Sequence, residues 1–137
     1  EYIQNSLSLI EDITVVGYPD GIWDSFNNIP ITRSGITATP LQFDFENMPK
    51  FLIDAAIFGG SSGSPVYIFN QGFYYSPDKG LVTSNRLLLV GIVYAVTQHT
   101  VLSELDGFDK IVATTSIPNN IGVAIHARKL LDFERLL

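Results

Sequence analysis

Seven small residues in a row, Gly59-Gly60-Ser61-Ser62-Gly63-Ser64-Pro65, separate two short apolar runs at residues 51–58 and 66–69. Both runs carry aliphatic and aromatic side chains, and their shortness makes them buried strands. A tight hairpin needs only about two loop residues, so this linker has more to do than reverse the chain. Its glycines give the backbone access to positive φ and let successive N–H groups turn into one cavity. Such a cavity binds negative charge. A serine hydroxyl held over it meets the needs of acyl transfer, a nucleophile beside donors for the oxyanion. A plain Ser/Gly-rich connection between strands has the same composition, so the loop alone leaves both readings open.

Composition narrows the classes. The chain has 137 residues, enough for one domain with a core. Hydrophobic residues make up 46% and charged residues 16%, which indicates a globular chain and not a disordered one. Net charge is −6 with no basic cluster, which argues against nucleic acid and anionic membranes as partners. No apolar stretch reaches the length of a membrane-spanning helix. The start at Glu1 lacks the regions of a signal peptide, and the chain reads as a piece of something longer. The lack of cysteine excludes disulfides and thiolate metal sites. It leaves the compartment open, with the cytoplasm favoured over secretion.

Taken in order, residues 10–18 read as a strand ending at the turn signal Pro19-Asp20-Gly21. A loop at 23–28 leads to a strand at 28–39, with Gly35 as a bulge or bend. Residues 40–50 form a surface connection, and 51–58 and 65–70 are the strands around Ser62. Residues 71–85 read as an excursion and 86–97 as the most apolar strand. A long polar loop at 98–116 precedes a last short strand at 120–125. Apolar residues at Leu130, Leu131, Phe133 and Leu137 have helical spacing and predict a C-terminal helix. The fold class is therefore all-β, a six-stranded antiparallel Greek-key barrel with a C-terminal helix, spanning residues 1–137 as one domain.

The segment Gly60-Ser61-Ser62-Gly63-Ser64-Pro65-Val66 resembles the nucleophile loop of trypsin-like, chymotrypsin-fold serine peptidases, usually Gly-x-Ser-Gly-Gly-Pro. The resemblance makes Ser62 the nucleophile and the N–H groups of Gly60 and Ser62 the oxyanion hole. It departs at Ser64, where the family usually has glycine. Val16-Gly17-Tyr18-Pro19-x-Gly21 resembles a segment of the bacterial members. Asp54-Ala55-Ala56 resembles the strand leading to the serine in the HtrA type. Leu89-Val90-Gly91-Ile92-Val93 is similar to the strand that pairs with substrate backbone. Gly122-Val123-Ala124-Ile125 is similar to the closing strand. In that order the matches cover nearly the whole chain and correspond to the second of the family's two barrels.

The resemblance implies a serine endopeptidase acting on peptide or protein substrates without a cofactor. Its histidine and aspartate are expected upstream of the serine, on an N-terminal barrel of the same protein. No histidine precedes Ser62 in this chain. The fragment alone is therefore expected to be inactive, with an apolar face left open to the missing barrel or to a homodimer partner. The competing class is a non-catalytic binding or regulatory barrel that keeps the loop.

Other candidates weigh less. His99 reads as an exposed loop histidine. A hydrolase-like order of Ser62, Asp106 or Asp109, and His126 would need a strand-to-helix elbow after the serine, whereas 65–69 look like a strand. Asp54 sits in an apolar run and is not placed to be the triad acid. The histidines and acids show no metal-ligand spacing, and the loop lacks the ending of a P-loop. Phe43, Phe45, Phe69, Tyr74 and Tyr75 read as core or loop anchors. The resemblance also outlines a specificity pocket. Its walls would be Ala56, Ile57 and Phe58; Tyr94, Ala95 and Val96; and Gly122, Val123 and Ala124. Ala56 at its base and Val96 on one wall imply a small or medium aliphatic residue before the scissile bond.

Overall fold

The computed structural model of the chain describes residues 6–104 and 112–136. Eight strands occur there: β1 Asp12–Gly17, β2 Ile31–Thr37, β3 Lys50–Ala55, β4 Pro65–Asn70, β5 Tyr74–Ser76, β6 Gly80–Val82, β7 Arg86–Glu104 and β8 Val112–His126. Six of them close into a barrel in the order β1-β2-β3-β8-β7-β4, and β5 and β6 form a separate two-stranded hairpin. All pairings are antiparallel. Because β4 returns to lie beside β1, the strands 4-1-2-3 take the Greek-key arrangement.

Alternation along the strands builds the core. β1 turns Ile13 and Val15 inward, β3 turns Phe51, Ile53 and Ala55, and β4 turns Val66 and Ile68. Ile57, Val93 and Ala124 complete the filling. Closing the sheet on itself leaves these strands no open edge.

Three segments differ from what the sequence suggests. The stretch 71–85 contains the β5–β6 hairpin, with Tyr75 opposite Leu81. The expected long loop after residue 97 is mostly paired, since β7 runs on to Glu104 and β8 begins at Val112. The C-terminal helix is a 3₁₀ segment, Ala127–Leu136. Phe43, Phe69 and Tyr75 stand exposed and are not core residues. Tyr74 lies under the Arg86 guanidinium and Phe45 under the Lys50 ammonium.

Candidate active site

β3 ends at Ala55 and the chain leaves the barrel wall. It turns at once, the Ile57 N–H donating to the Ala55 carbonyl at 2.6 Å. The following loop is tied down on two sides. The Gly63 N–H donates to Val93 O and the Val93 N–H donates to Ser64 O, both at 2.8 Å, so the loop is laced to β7. The Asp20 N–H donates to Gly59 O at 2.8 Å, which braces it against the 3₁₀ turn Pro19–Gly21. Ser61 and Ser64 are buried, while Ser62 is exposed. The loop thus presents one serine to solvent and uses the other two as packing.

The backbone donors divide in the same way. The Ser61 N–H bonds Phe58 O and the Ser64 N–H bonds Ser61 O. Among the described residues, the N–H groups of Gly60 and Ser62 have no acceptor. The Gly59 N–H has none either, so Gly60 and Ser62 offer open donors on either side of Ser61, whose own N–H is used internally. Gly60 carries φ +78°, and a Cβ there would stand 2.8 Å from the Asp20 backbone nitrogen. Only glycine takes this conformation at such close range without strain.

Ser62 Oγ donates to the Tyr94 carbonyl at 3.3 Å. That carbonyl is available because β7 bulges here: Val93 pairs with Ala124 and Ala95 with Val123, leaving Tyr94 as the extra residue. Bulges next to active sites commonly re-aim a group in this manner.

Ser64 meets Gly17 across the barrel wall. A Cβ on Gly17 would lie 2.0 Å from Ser64 Oγ and 3.0 Å from Ser64 Cβ. Ser64 therefore fits because β1 has no side chain opposite it. Gly17→Ala is expected to destabilise the barrel by roughly 1–3 kcal/mol through overpacking. Adding Ser64→Gly should recover most of that loss in a double-mutant cycle by urea unfolding. Additive losses would show that the two positions are not in contact.

The expected pocket residues are placed unequally. Ala56 and Tyr94 are exposed, and Ala95 and Val96 are half-buried. Ile57 is fully buried in the core. Gly122 is buried as well, and a Cβ there would come within 3.0 Å of Ile53 and 3.1 Å of Ile57. The part of the expected wall that reaches the surface is therefore Ala56, Phe58 and the bulged stretch of β7, of which Tyr94 accepts from Ser62 and Phe58 from the Ser61 N–H. Arg33 of β2 reaches this wall, which the sequence did not foretell. Its guanidinium donates to the Ala56 carbonyl and lies 4.8 Å from the centre of the Phe58 ring. The available signal was a cation at an inward-phased position of a strand otherwise alternating in burial.

His126 does not approach the serine. It pairs with Gly91, three residues before Tyr94 on β7, a separation of roughly 10 Å along the strand. It is buried, its Nε2 has no hydrogen-bond partner among the described residues, and its ring packs 4.9 Å from Phe51. Ser62 leads into strand β4, so the elbow of the rival hydrolase arrangement is not formed. Asp106 and Asp109 lie outside the described residues, as does the His99 side chain. Asp54 is exposed. Among the described residues no three of His, Cys, Asp and Glu gather as a metal site would require.

Burial holds the His126 pKa below its ordinary 6.5; Arg128 adds to the depression, while Asp44 and the Phe43 backbone oppose it. The folded state thus binds the proton more weakly than the unfolded chain does. Its contribution to stability is whole above the unfolded value near 6.5 and is lost as pH falls through the lower folded value. The melting temperature is expected to drop as pH is lowered below about 6.5. His126→Leu should flatten that slope, and an unchanged slope would assign it to other groups.

A groove of about 610 Å³ runs along the outside of the barrel, between β3, β7, β8 and the C-terminal segment. Ile92, Tyr94, Ile125, Leu130 and Phe133 line it, with Lys50 and Lys129 also among its lining residues. Tyr94 belongs both to this groove and to the bulge against Ser62. Comparison with family models, with curated proteins and with solved structures found no match.

Proposed function

We propose that this barrel is the serine-bearing half of a trypsin-like serine endopeptidase. The observation that carries the reading is the pair of unpartnered N–H groups at Gly60 and Ser62, set on either side of Ser61 in a loop that exposes the Ser62 hydroxyl. Ser62 Oγ attacks a peptide carbonyl. The carbonyl oxygen becomes an oxyanion and accepts hydrogen bonds from the two free N–H groups. A histidine on an upstream barrel takes the serine proton and later gives it to the leaving amine, and an aspartate orients that histidine. The groove beside Tyr94 is where that barrel docks. This location favours the reading, because a histidine presented across the groove arrives next to the bulge that holds Ser62.

The competing reading is a binding barrel that retains the loop without chemistry. Pre-steady-state kinetics on an activated peptide ester separate the two, using the protein with its upstream region. The peptidase reading expects a burst of leaving group close to one per protein, lost in Ser62→Ala. A linear time course from the folded protein, identical in both forms, would leave the binding reading standing.

A further inference from the structure

Strand β2 carries a cation beside the loop whose charge no carboxylate balances among the described residues. Lys50, Arg86, Arg128 and Lys129 each pair with a carboxylate, from Glu46, Glu11, Asp44 and Asp132 respectively. Arg33 pairs with none among the described residues, in a chain whose net charge is −6. Its contacts are the neutral Ala56 carbonyl and the Phe58 ring. They fix the guanidinium in place without cancelling its charge. A guanidinium has five N–H donors in a rigid fork, so donating to one carbonyl leaves others free for a carboxylate.

The position gives this charge a use. Pairing between β2 and β3 ends at Gly35 and Ala55. Arg33 lies beyond that point and holds the segment 56–58, whose Phe58 carbonyl accepts from the Ser61 N–H next to Ser62. Ala56, whose carbonyl it holds, is exposed and has a side chain too small to close off the space. We infer that Arg33 is a specificity-determining residue that recognises the carboxylate of a glutamate or aspartate immediately before the scissile bond. This inference rests on the peptidase reading above. It replaces the aliphatic preference implied by the wall residues, because a fixed guanidinium selects a carboxylate more strongly than Ala56 and Val96 select a methyl group.

Two measurements test it, both on the protein with its upstream region. In the first, kcat/KM is compared for fluorogenic peptides that differ only in glutamate, aspartate, leucine or alanine at that position. The acidic peptides should be cleaved at least about 10-fold faster than the leucyl peptide. Arg33→Gln should bring the acidic-to-leucyl rate ratio to within about 2-fold of one, whatever it does to the absolute rates, and Arg33→Lys should retain part of the advantage. Preference for leucine or alanine with Ser62-dependent turnover would overturn the assignment and leave the peptidase reading intact. An equal loss on all peptides in Arg33→Gln would reduce Arg33 to a brace for the loop and overturn it as well. The second measurement needs no turnover. The side-chain Nε–Hε resonance of Arg33 is followed in the Ser62→Ala protein during titration with the glutamyl and leucyl peptides. A shift with the glutamyl peptide alone supports the inference. No shift with either sinks it, whether or not the wild type cleaves anything.

Discussion

Ser62→Ala, in the protein carrying its upstream region, is expected to lower kcat by roughly 10⁴–10⁶-fold. KM should change little, because the hydroxyl points to solvent and to one carbonyl at 3.3 Å and contributes little to holding the substrate. Stability should also be unaffected, since an exposed serine with a single weak hydrogen bond adds little. The size of the effect follows from the division of labour in the loop. Ser61 and Ser64 are buried and cannot substitute for the nucleophile. The oxyanion donors at Gly60 and Ser62 survive the change, so a small residual rate should remain. Residues 1–137 alone should show negligible turnover, because an unassisted serine is a weak nucleophile and His126 is buried away from it. A loss of less than about 10-fold in the full protein would remove Ser62 from the chemistry.

Arg86→Ala is expected to cost about 3–5 kcal/mol of stability. Arg86 and Glu11 are both buried and meet at 2.5 Å and 3.3 Å through two guanidinium nitrogens. The Arg86 Nε–H donates to Asn70 at 2.9 Å, and Glu11 accepts from the Ser8 N–H at 2.7 Å. The Glu11 N–H donates to Thr37 at 2.9 Å. This cluster fastens the chain ahead of β1 to the ends of β4, β7 and β2. Removing Arg86 leaves a buried carboxylate without its charge partner, and that desolvation dominates the cost. Replacing both members with apolar residues, Arg86→Met with Glu11→Leu, should recover most of the loss. Urea unfolding of the three variants measures this. A single-variant loss below about 1 kcal/mol would mean that the pair is solvated in solution.

How much of this was legible beforehand depended on the range of the interactions. β4 falls at Pro65–Asn70, as the sequence suggested, because Pro65 and the small residues before it mark the boundary locally. β1 and β3 were readable as strands from their local apolar content and the turn signals that follow them. The outer parts of β7 and β8 were not. Residues 98–104 are largely polar and 112–118 mixed, and the two pair mainly with each other, without the apolar alternation that betrays a half-buried strand. At the site, the resemblance of the loop names Gly60 and Ser62, while its composition alone leaves its role open. The Gly17–Ser64 contact, the Tyr94 bulge and the Arg33 anchor could be read from neither. Each depends on strand register, which joins residues 23 to 75 positions apart in these cases and in the Glu11–Arg86 pair.

The proposal that Ser62 is an activated nucleophile stands or falls on treating the protein with its upstream region with a fluorophosphonate and locating the adduct by peptide mass analysis. One adduct per chain is expected, on Ser62, absent when the protein is denatured first and absent from Ser62→Ala. A folded protein that stays unlabelled, or that carries the label elsewhere, would contradict it.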